Sequence, residues 1–271
     1  MHLSGLFVYP IKSCAGMPVD RWELGAMGLS GDRSYMVVDD EGVYLTQREE
    51  PRLALVRPVP GEPLTVATPA GSATPIPGAR VEVSVWDYDC AALDCGDEVA
   101  GLLSDHLGRA CRLVTLSPDH DRPSDHAGGR VGFADGYPLL ITSESSLAEL
   151  NARLPAPLPM NRFRPNLVVA GSPAFDEDHW RALEVGPIPV DVVKPCARCA
   201  ITRVDQATGV RGDGEPLRTL GTFRKAKGGV MFGQNAVHRQ NGVLTVGDAV
   251  RVVQPREPDA GATGRGPAAG N

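Results

Sequence analysis

Short β-prone runs, each closed by glycine, proline, asparagine or aspartate, recur from Leu3 to Val253 and leave little room for long helices. Runs of about four to eight residues rich in Val, Ile and aromatics between such breakers read as strands. The 31 Gly and 24 Pro are spread along all 271 residues, so the chain turns often and packs as a β-rich body. At this length it holds one large β-rich domain or two small ones. With 42% hydrophobic residues it can bury a core. No apolar stretch approaches the ~18–20 residues of a membrane-spanning helix.

Strands are expected at Gly5–Pro10, Arg33–Asp39, Val43–Gln47, Leu53–Pro58 and Ala79–Trp86. Asp40-Glu41-Gly42 makes a short hairpin signal between two of them. Val99, Leu102, Leu103 and Leu107 recur at helical spacing and predict a helix over Asp97–Leu107. Cys111–Leu116 returns as a strand, and the polar stretch Ser117–Gly129 reads as a loop or boundary. Beyond Phe133, Ser143 is a candidate cap for a helix carrying Leu147, Leu150 and Leu154 on one side. Strands follow at Asn166–Ala170, Ala182–Val185, Val190–Val193 and Ala200–Val204, and Pro216–Phe223 reads as a short helix with proline in its first turn. Val230–Arg239 and Val243–Val253 flank Asn241-Gly242, a type I′ hairpin dipeptide.

The expected fold is α+β, mostly β. An N-terminal β-barrel-like domain spans 1–118, and a second β-barrel domain with short helices spans 119–254. Residues 255–271, dominated by Gly, Pro, Ala and charge, read as a disordered tail.

Lys+Arg number 27 against 33 Asp+Glu, a net charge of −6, and no basic block stands out. Nucleic acid and anionic membranes are therefore not the expected partners. The N-terminus enters a strand almost at once, without a basic start or a small-residue cleavage site, so a cytoplasmic protein is expected. Its six cysteines, Cys14, Cys90, Cys95, Cys111, Cys196 and Cys199, are accordingly read as reduced.

Cys196 and Cys199, in Lys194-Pro195-Cys196-Ala197-Arg198-Cys199-Ala200-Ile201-Thr202, carry the strongest chemical signal. Thiols beside basic side chains are disposed to ionise, and a thiolate serves as nucleophile, redox group or soft metal ligand. Structural zinc needs four ligands, and neither a second C-x-x-C nor a ligand-spaced histidine pair exists. A thioredoxin-like dithiol opens a helix, whereas Cys199 runs into a strand-like segment. A lone thiolate that binds a soft metal or carries sulfur remains.

Basic residues at strand ends form the second signal: Lys12 in Tyr9-Pro10-Ile11-Lys12-Ser13, Arg33 in Gly31-Asp32-Arg33, and Arg164 in Phe163-Arg164-Pro165-Asn166. If they converge, they can hold a phosphate by charge-assisted hydrogen bonds. No Walker-type loop or G-x-G-x-x-G exists, which disfavours nucleotide binding in those modes.

Together these segments resemble a known family. Tyr9-Pro10-Ile11-Lys12-Ser13, Met27-Gly28-Leu29 and Gly31-Asp32-Arg33 look like the N-terminal β-barrel domain that precedes MOSC domains. Phe163-Arg164-Pro165-Asn166, the Lys194–Cys199 run, Val204-Asp205 with Thr208-Gly209, Pro216-Leu217 with Leu220, and Phe232-Gly233-Gln234-Asn235 look like the MOSC domain itself. The likeness covers nearly everything up to about Val253, and it points to amidoxime-reducing components and bacterial reductases of N-hydroxylated bases.

The resemblance implies a molybdenum cofactor, a molybdopterin whose metal Cys199 ligates and whose pterin and phosphate Lys12, Ser13, Arg33, Arg164, Asn166 and Arg198 hold. Cys196 would pack beside this site or, since spacing alone does not decide, be the ligand instead, and Arg198 would help to keep the Cys199 sulfur ionised. The implied reaction is reduction of a small N-hydroxylated (N–OH or N–O) compound to the amine and water. Bacterial relatives often add a ferredoxin domain with an iron–sulfur cluster. Here the tail has no cysteine, so electrons are expected from an external ferredoxin-like or other donor protein. Ala197 stands where relatives often have serine. Two other readings stay open: a sulfur carrier with a cysteine persulfide, and a module that binds or delivers the cofactor.

Overall fold

The computed structural model describes residues 1–126 and 129–256. Its centre is a nine-stranded sheet running in the order Val250–Pro255, Trp180–Val185, Ile188–Ala197, Gly229–His238, Leu139–Ser143, Leu167–Ala170, His2–Val8 and Met17–Pro18, with Lys225–Ala226 paired to Gly229–His238. Most neighbours are antiparallel. Leu139–Ser143 and Leu167–Ala170 run parallel, which requires a crossover. Helix Glu144–Asn151 occupies it, and the expected cap is present: Ser143 Oγ accepts the Ser146 N–H at 3.2 Å. The first strand thus lies in the same sheet as the last ones. Leu3, Leu6 and Val8 share one apolar cluster with Ile141, Leu167, Leu183, Val190 and Leu244, each burial worth about 1.5–3 kcal/mol.

A four-stranded antiparallel sheet follows the order Tyr35–Val38, Arg112–Leu116, Tyr88–Asp94, Arg80–Val85. Helix Asp97–Leu107 packs Val99, Leu103 and Leu107 into a second cluster with Leu53, Val56 and Leu113. Asp97 and Glu98 sit in its first turn, where the helix dipole favours anions, and Gly108 closes it in the left-handed conformation with φ 65°. Two three-stranded sheets complete the body, one from Gly242–Thr245, Arg21–Gly25 and Gly28–Leu29, the other from Arg57–Val59, Thr65–Thr68 and Gly71–Ala73. The architecture is α+β and mostly β, as the sequence predicts. No helix among the described residues is long and apolar enough to cross a membrane.

Several local expectations are corrected. Asn241-Gly242 does not close a hairpin: Gly242–Thr245 pairs with Arg21–Gly25, because both edges of Gly229–His238 are already taken by Ile188–Ala197 and Leu139–Ser143. Ala200–Val204 is not a strand. Ala200–Arg203 forms a 3-10 turn, with the Thr202 hydroxyl donating to the Cys199 carbonyl at 3.0 Å. In the Leu53–Pro58 region, Pro51 starts a 3-10 helix over Pro51–Leu55 and the strand begins only at Arg57. Val43–Gln47 makes only isolated bridges, Val38 to Tyr44 and Val43 to Ser84. Val243–Val253 is split between Gly242–Thr245 and Val250–Pro255. Of the expected loop Ser117–Gly129, residues 127–128 lie outside the described residues. So does the expected tail from residue 257 onward; Pro255 still belongs to a strand.

Candidate functional site

A cleft of about 1210 Å³ opens where the strand ends of the two sequence halves meet. Lys12, Ser13, Arg33, Arg164, Asn166, Arg198 and Cys199 all line it, so every residue singled out from the sequence is brought to one place. Lys12 and Ser13 follow strand His2–Val8, Arg164 and Asn166 precede Leu167–Ala170, and Cys196 lies near the end of Ile188–Ala197 with Cys199 just beyond it, before the 3-10 turn. Eight basic residues face three aspartates across the walls, although the chain as a whole carries −6. The charge is concentrated here against the average, as an anion site requires.

Tyr9 is the hub of the cationic wall. The guanidinium of Arg33 lies 4.5 Å from the Tyr9 ring centroid and that of Arg164 lies 4.4 Å from it. Gly16 makes room for that ring, since a Cβ there would come within 2.3 Å of it. Burial pushes the Tyr9 phenol up to about 12, so it stays a neutral platform. Arg33 pairs with buried Asp32 and reaches Asn166 Oδ1 at 3.2 Å. Asn166 also accepts the Leu140 N–H and donates to the Phe7 carbonyl and Asp32 Oδ1. All four of its hydrogen-bonding positions are thus engaged within the protein, and its part is to orient Arg33 and Asp32.

Arg164 makes one protein hydrogen bond, Nη1 to the Cys14 carbonyl at 2.5 Å. Burial, with Arg33 adding repulsion, lowers its guanidinium below the usual range. Two guanidinia around one ring with a single buried carboxylate leave a demand for a bound anion. The Nε of Arg198, buried without a hydrogen-bond partner, adds to it.

Strand Ile188–Ala197 reaches the cleft through two irregularities in its pairing with Gly229–His238, between Val192 and Lys194 and between Pro195 and Ala197. Such bulges re-aim side chains, and here they turn both cysteines to the cleft, each partly exposed. One expectation is corrected at this point. Arg198 Nη1 meets the sulfur of Cys196, at 3.0 Å, rather than that of Cys199, and its Nη2 donates to the Phe163 carbonyl at 2.6 Å. The cation beside Cys199 is Arg48: burial works against its charge, but the sulfur next to it holds the guanidinium above its ordinary range.

Sequence reasoning missed Arg48 because Thr46-Gln47-Arg48-Glu49-Glu50 has the look of a solvated turn. It also missed Asp135 and Trp86. Lys12 Nζ donates to Asp135 at 2.5 Å and to the Phe133 carbonyl at 2.9 Å. Against a burial penalty, Lys12 and Arg48 hold the Asp135 carboxyl well below its usual range. Arg122 fixes the turn that presents Asp135 by donating to the carbonyls of Gly132, Ala134 and Asp135.

Backbone strain is concentrated at the same place. Among the described residues five non-glycines have left-handed φ, and four of them, Ser13, Arg33, Trp86 and Arg164, line the cleft. Strain of this kind gathers at sites where function holds it.

Residues 1–110 match the family model described as MOSC N-terminal beta barrel domain, and residues 128–251 match the one described as MOSC domain. The chain belongs to the MOSC family. This MOSC protein is 35% identical over 276 residues to mitochondrial amidoxime-reducing component 1 of Homo sapiens, covering 90% of this chain and 81% of that one. It is 36% identical over 279 residues to mitochondrial amidoxime reducing component 2 of Bos taurus, covering 92% and 82%. A molybdenum cofactor sulfurase of Bos taurus is 32% identical over 267 residues, 87% of the MOSC protein but 30% of the sulfurase.

Proposed function

We propose that this MOSC protein binds the molybdenum cofactor and reduces small N-hydroxylated compounds to amines, with electrons from a separate donor protein. The observation that carries this reading is the convergence of Cys199, Arg33 and Arg164 on one cleft. A soft sulfur and an unmet demand for an anion in one cleft suit a metal dithiolene with a phosphate. The names of the amidoxime-reducing relatives support the reaction class.

Among the described residues no three His, Cys, Asp or Glu side chains gather as a metal site. Cys199 would therefore contribute a single ligand. Lys12, Ser13, Arg33, Arg164 and Arg198 would hold the pterin and phosphate, and Asn166 would act through Arg33. Arg48, whose guanidinium stays charged beside the Cys199 sulfur, would complete that end of the site. When bound, the cofactor supplies the two-electron chemistry that removes the oxygen of an N–OH group. The protein supplies anchoring, orientation and a walled approach.

The test is expression in a host that makes the cofactor, with metal and pterin measured and benzamidoxime reduction assayed with a chemical reductant. Stoichiometric molybdenum with turnover is expected. Arg164→Ala should weaken pterin retention about 10–100-fold, the usual worth of a charge-assisted hydrogen bond; full retention removes it from the anchor. The sulfurase relative favours one second reading, a sulfur carrier with a persulfide on Cys199. Persulfide without molybdenum would establish it, and molybdenum without turnover would indicate delivery.

A further inference from the structure

Arg48 belongs to the turn Thr46-Gln47-Arg48-Glu49, where the Arg48 N–H donates to the Thr46 hydroxyl at 3.0 Å and the Glu49 N–H to the Thr46 carbonyl at 3.1 Å. Bonds from the other half of the sequence fix this turn in the molecule. Fully buried Gln47 exchanges two hydrogen bonds with Gln206: its Nε2 donates to Gln206 Oε1 at 3.2 Å, and its Oε1 accepts from Gln206 Nε2 at 2.8 Å. Gln47 Nε2 also donates to the Ser13 carbonyl at 2.7 Å. Arg211 Nη2 donates to the Gln47 carbonyl at 3.4 Å and to the carbonyl of Arg48. A buried amide bonded at three positions specifies one register between the segments it joins, which an apolar side chain of the same size does not.

Gln206 and Arg211 stand on a tightly wound loop that starts from the cleft cysteine. After Cys199 comes the 3-10 turn Ala200–Arg203; Val204 and Arg211 then bridge antiparallel, and inside the loop Asp205 Oδ1 accepts the N–H groups of Ala207 and Thr208 at 3.0 Å each. Gly209, with φ 67°, seats the loop on the 3-10 helix Pro51–Leu55, since a Cβ there would lie 3.2 Å from Leu55 Cγ and 3.3 Å from Arg52 Cα. One short segment thus carries Cys199 at its start and grips the Arg48 backbone at its end. From that backbone the Arg48 side chain enters the cleft. Its guanidinium lies 4.7 Å from the ring of Trp86, whose N–H donates to Asp135 at 3.2 Å, and it stands beside the Cys199 sulfur. Gln47, Gln206 and Arg211 do not themselves line the cleft, so any influence they have on the site passes through Arg48 and Ser13.

We propose that Gln206 and Arg211 are positioning residues, which act through Gln47 and the Arg48 backbone to hold the Arg48 guanidinium against the Cys199 sulfur. This rests on the reading of Cys199 as the ligating sulfur and adds what orients it. A cation fixed against a ligating sulfur constrains the sulfur and draws electron density from it, so its placement tunes the metal more than the affinity for substrate.

The first measurement needs no cofactor. In isotopically labelled, cofactor-free protein the Arg48 Nε–H resonance, identified by its loss in Arg48→Lys, reports the order of the guanidinium through its heteronuclear NOE. That NOE should be that of a rigid group in the wild type and fall toward that of a free side chain in Arg211→Ala and in Gln206→Ala, with Arg211→Lys restoring most of it. Arg211 is exposed, so its variants decide the matter should Gln206→Ala not fold. The second measurement takes the Mo(V) electron paramagnetic resonance signal and benzamidoxime kinetics of the cofactor-loaded protein with a chemical reductant. Arg211→Ala should change the signal and lower kcat about tenfold with KM within about twofold. In an Arg48→Ala background it should add less than about twofold, because both changes act through one guanidinium. An Arg48 side chain that stays rigid in Arg211→Ala and Gln206→Ala overturns the proposal, as do an unaltered signal and kcat once that side chain is loosened. Loosening in a protein that takes up no molybdenum sinks the reductase reading and leaves the placement of Arg48 standing.

Discussion

Cys14, Cys95 and Cys111 lie in the apolar cluster around helix Asp97–Leu107, whereas Cys196 and Cys199 stand partly exposed in the cleft. The residue type is the same and the surroundings are opposite. Burial among aliphatic side chains pushes the Cys14 and Cys95 thiols up to about 12 and raises Cys111 as well. Each cleft sulfur instead has a guanidinium beside it, Arg198 at Cys196 and Arg48 at Cys199. The core thiols behave as small hydrophobes; the cleft thiols are positioned for chemistry.

The largest test of this contrast removes one sulfur from each region. Cys199→Ala should cut molybdenum retention and amidoxime reduction to below about one-hundredth, beyond the 10–100-fold range of outer contacts to a metal. Cys95→Ala should leave the metal content unchanged, and Cys196→Ala should stay within about tenfold of the wild-type activity. A loss at Cys196 with Cys199→Ala still active would exchange their roles. A finer test is alkylation of the native, cofactor-free protein at pH 7.5, followed by peptide mapping. A thiol raised from 9.0 to about 12 carries about 10³-fold less thiolate, so Cys14 and Cys95 should label only after unfolding. Labelling of Cys14 as fast as the cleft cysteines would erase the distinction.

The sequence carried part of this arrangement and hid the rest for physical reasons. Helix Asp97–Leu107 was legible to the residue because apolar spacing, first-turn acids and Gly108 agree. The cleft cations Lys12, Arg33 and Arg164 were legible because each sits in a recognisable strand-end motif. Asn241-Gly242 misled, since a dipeptide reports the local turn preference and not whether the neighbouring strand has a free edge. Ala200–Val204 misled because its four apolar or β-branched residues fit a 3-10 turn as readily as a strand. Arg48, Trp86 and Asp135 meet only in three dimensions, from segments about forty to ninety residues apart. No local pattern marks them.

The smallest expected effect concerns stability in alkali. In the folded chain Cys14 keeps its proton up to about pH 12, whereas in the unfolded chain it releases it near ~8.5. Between those values the native state binds more protons, so its stability falls as pH rises and is fully present only below the unfolded value. Each such thiol removes up to about 1.4 kcal/mol per pH unit. Urea unfolding between pH 9 and 10, compared between the wild type and Cys14→Ala, isolates the effect, because the raised Tyr9 contributes equally to both. Cys14→Ala should lower stability at pH 7.5 by about 1 kcal/mol through lost packing, yet its stability should decline less steeply from pH 9 to 10 than that of the wild type. If both decline with the same slope, burial is not what holds that proton, and the separation between core and cleft sulfurs rests on the guanidinia alone.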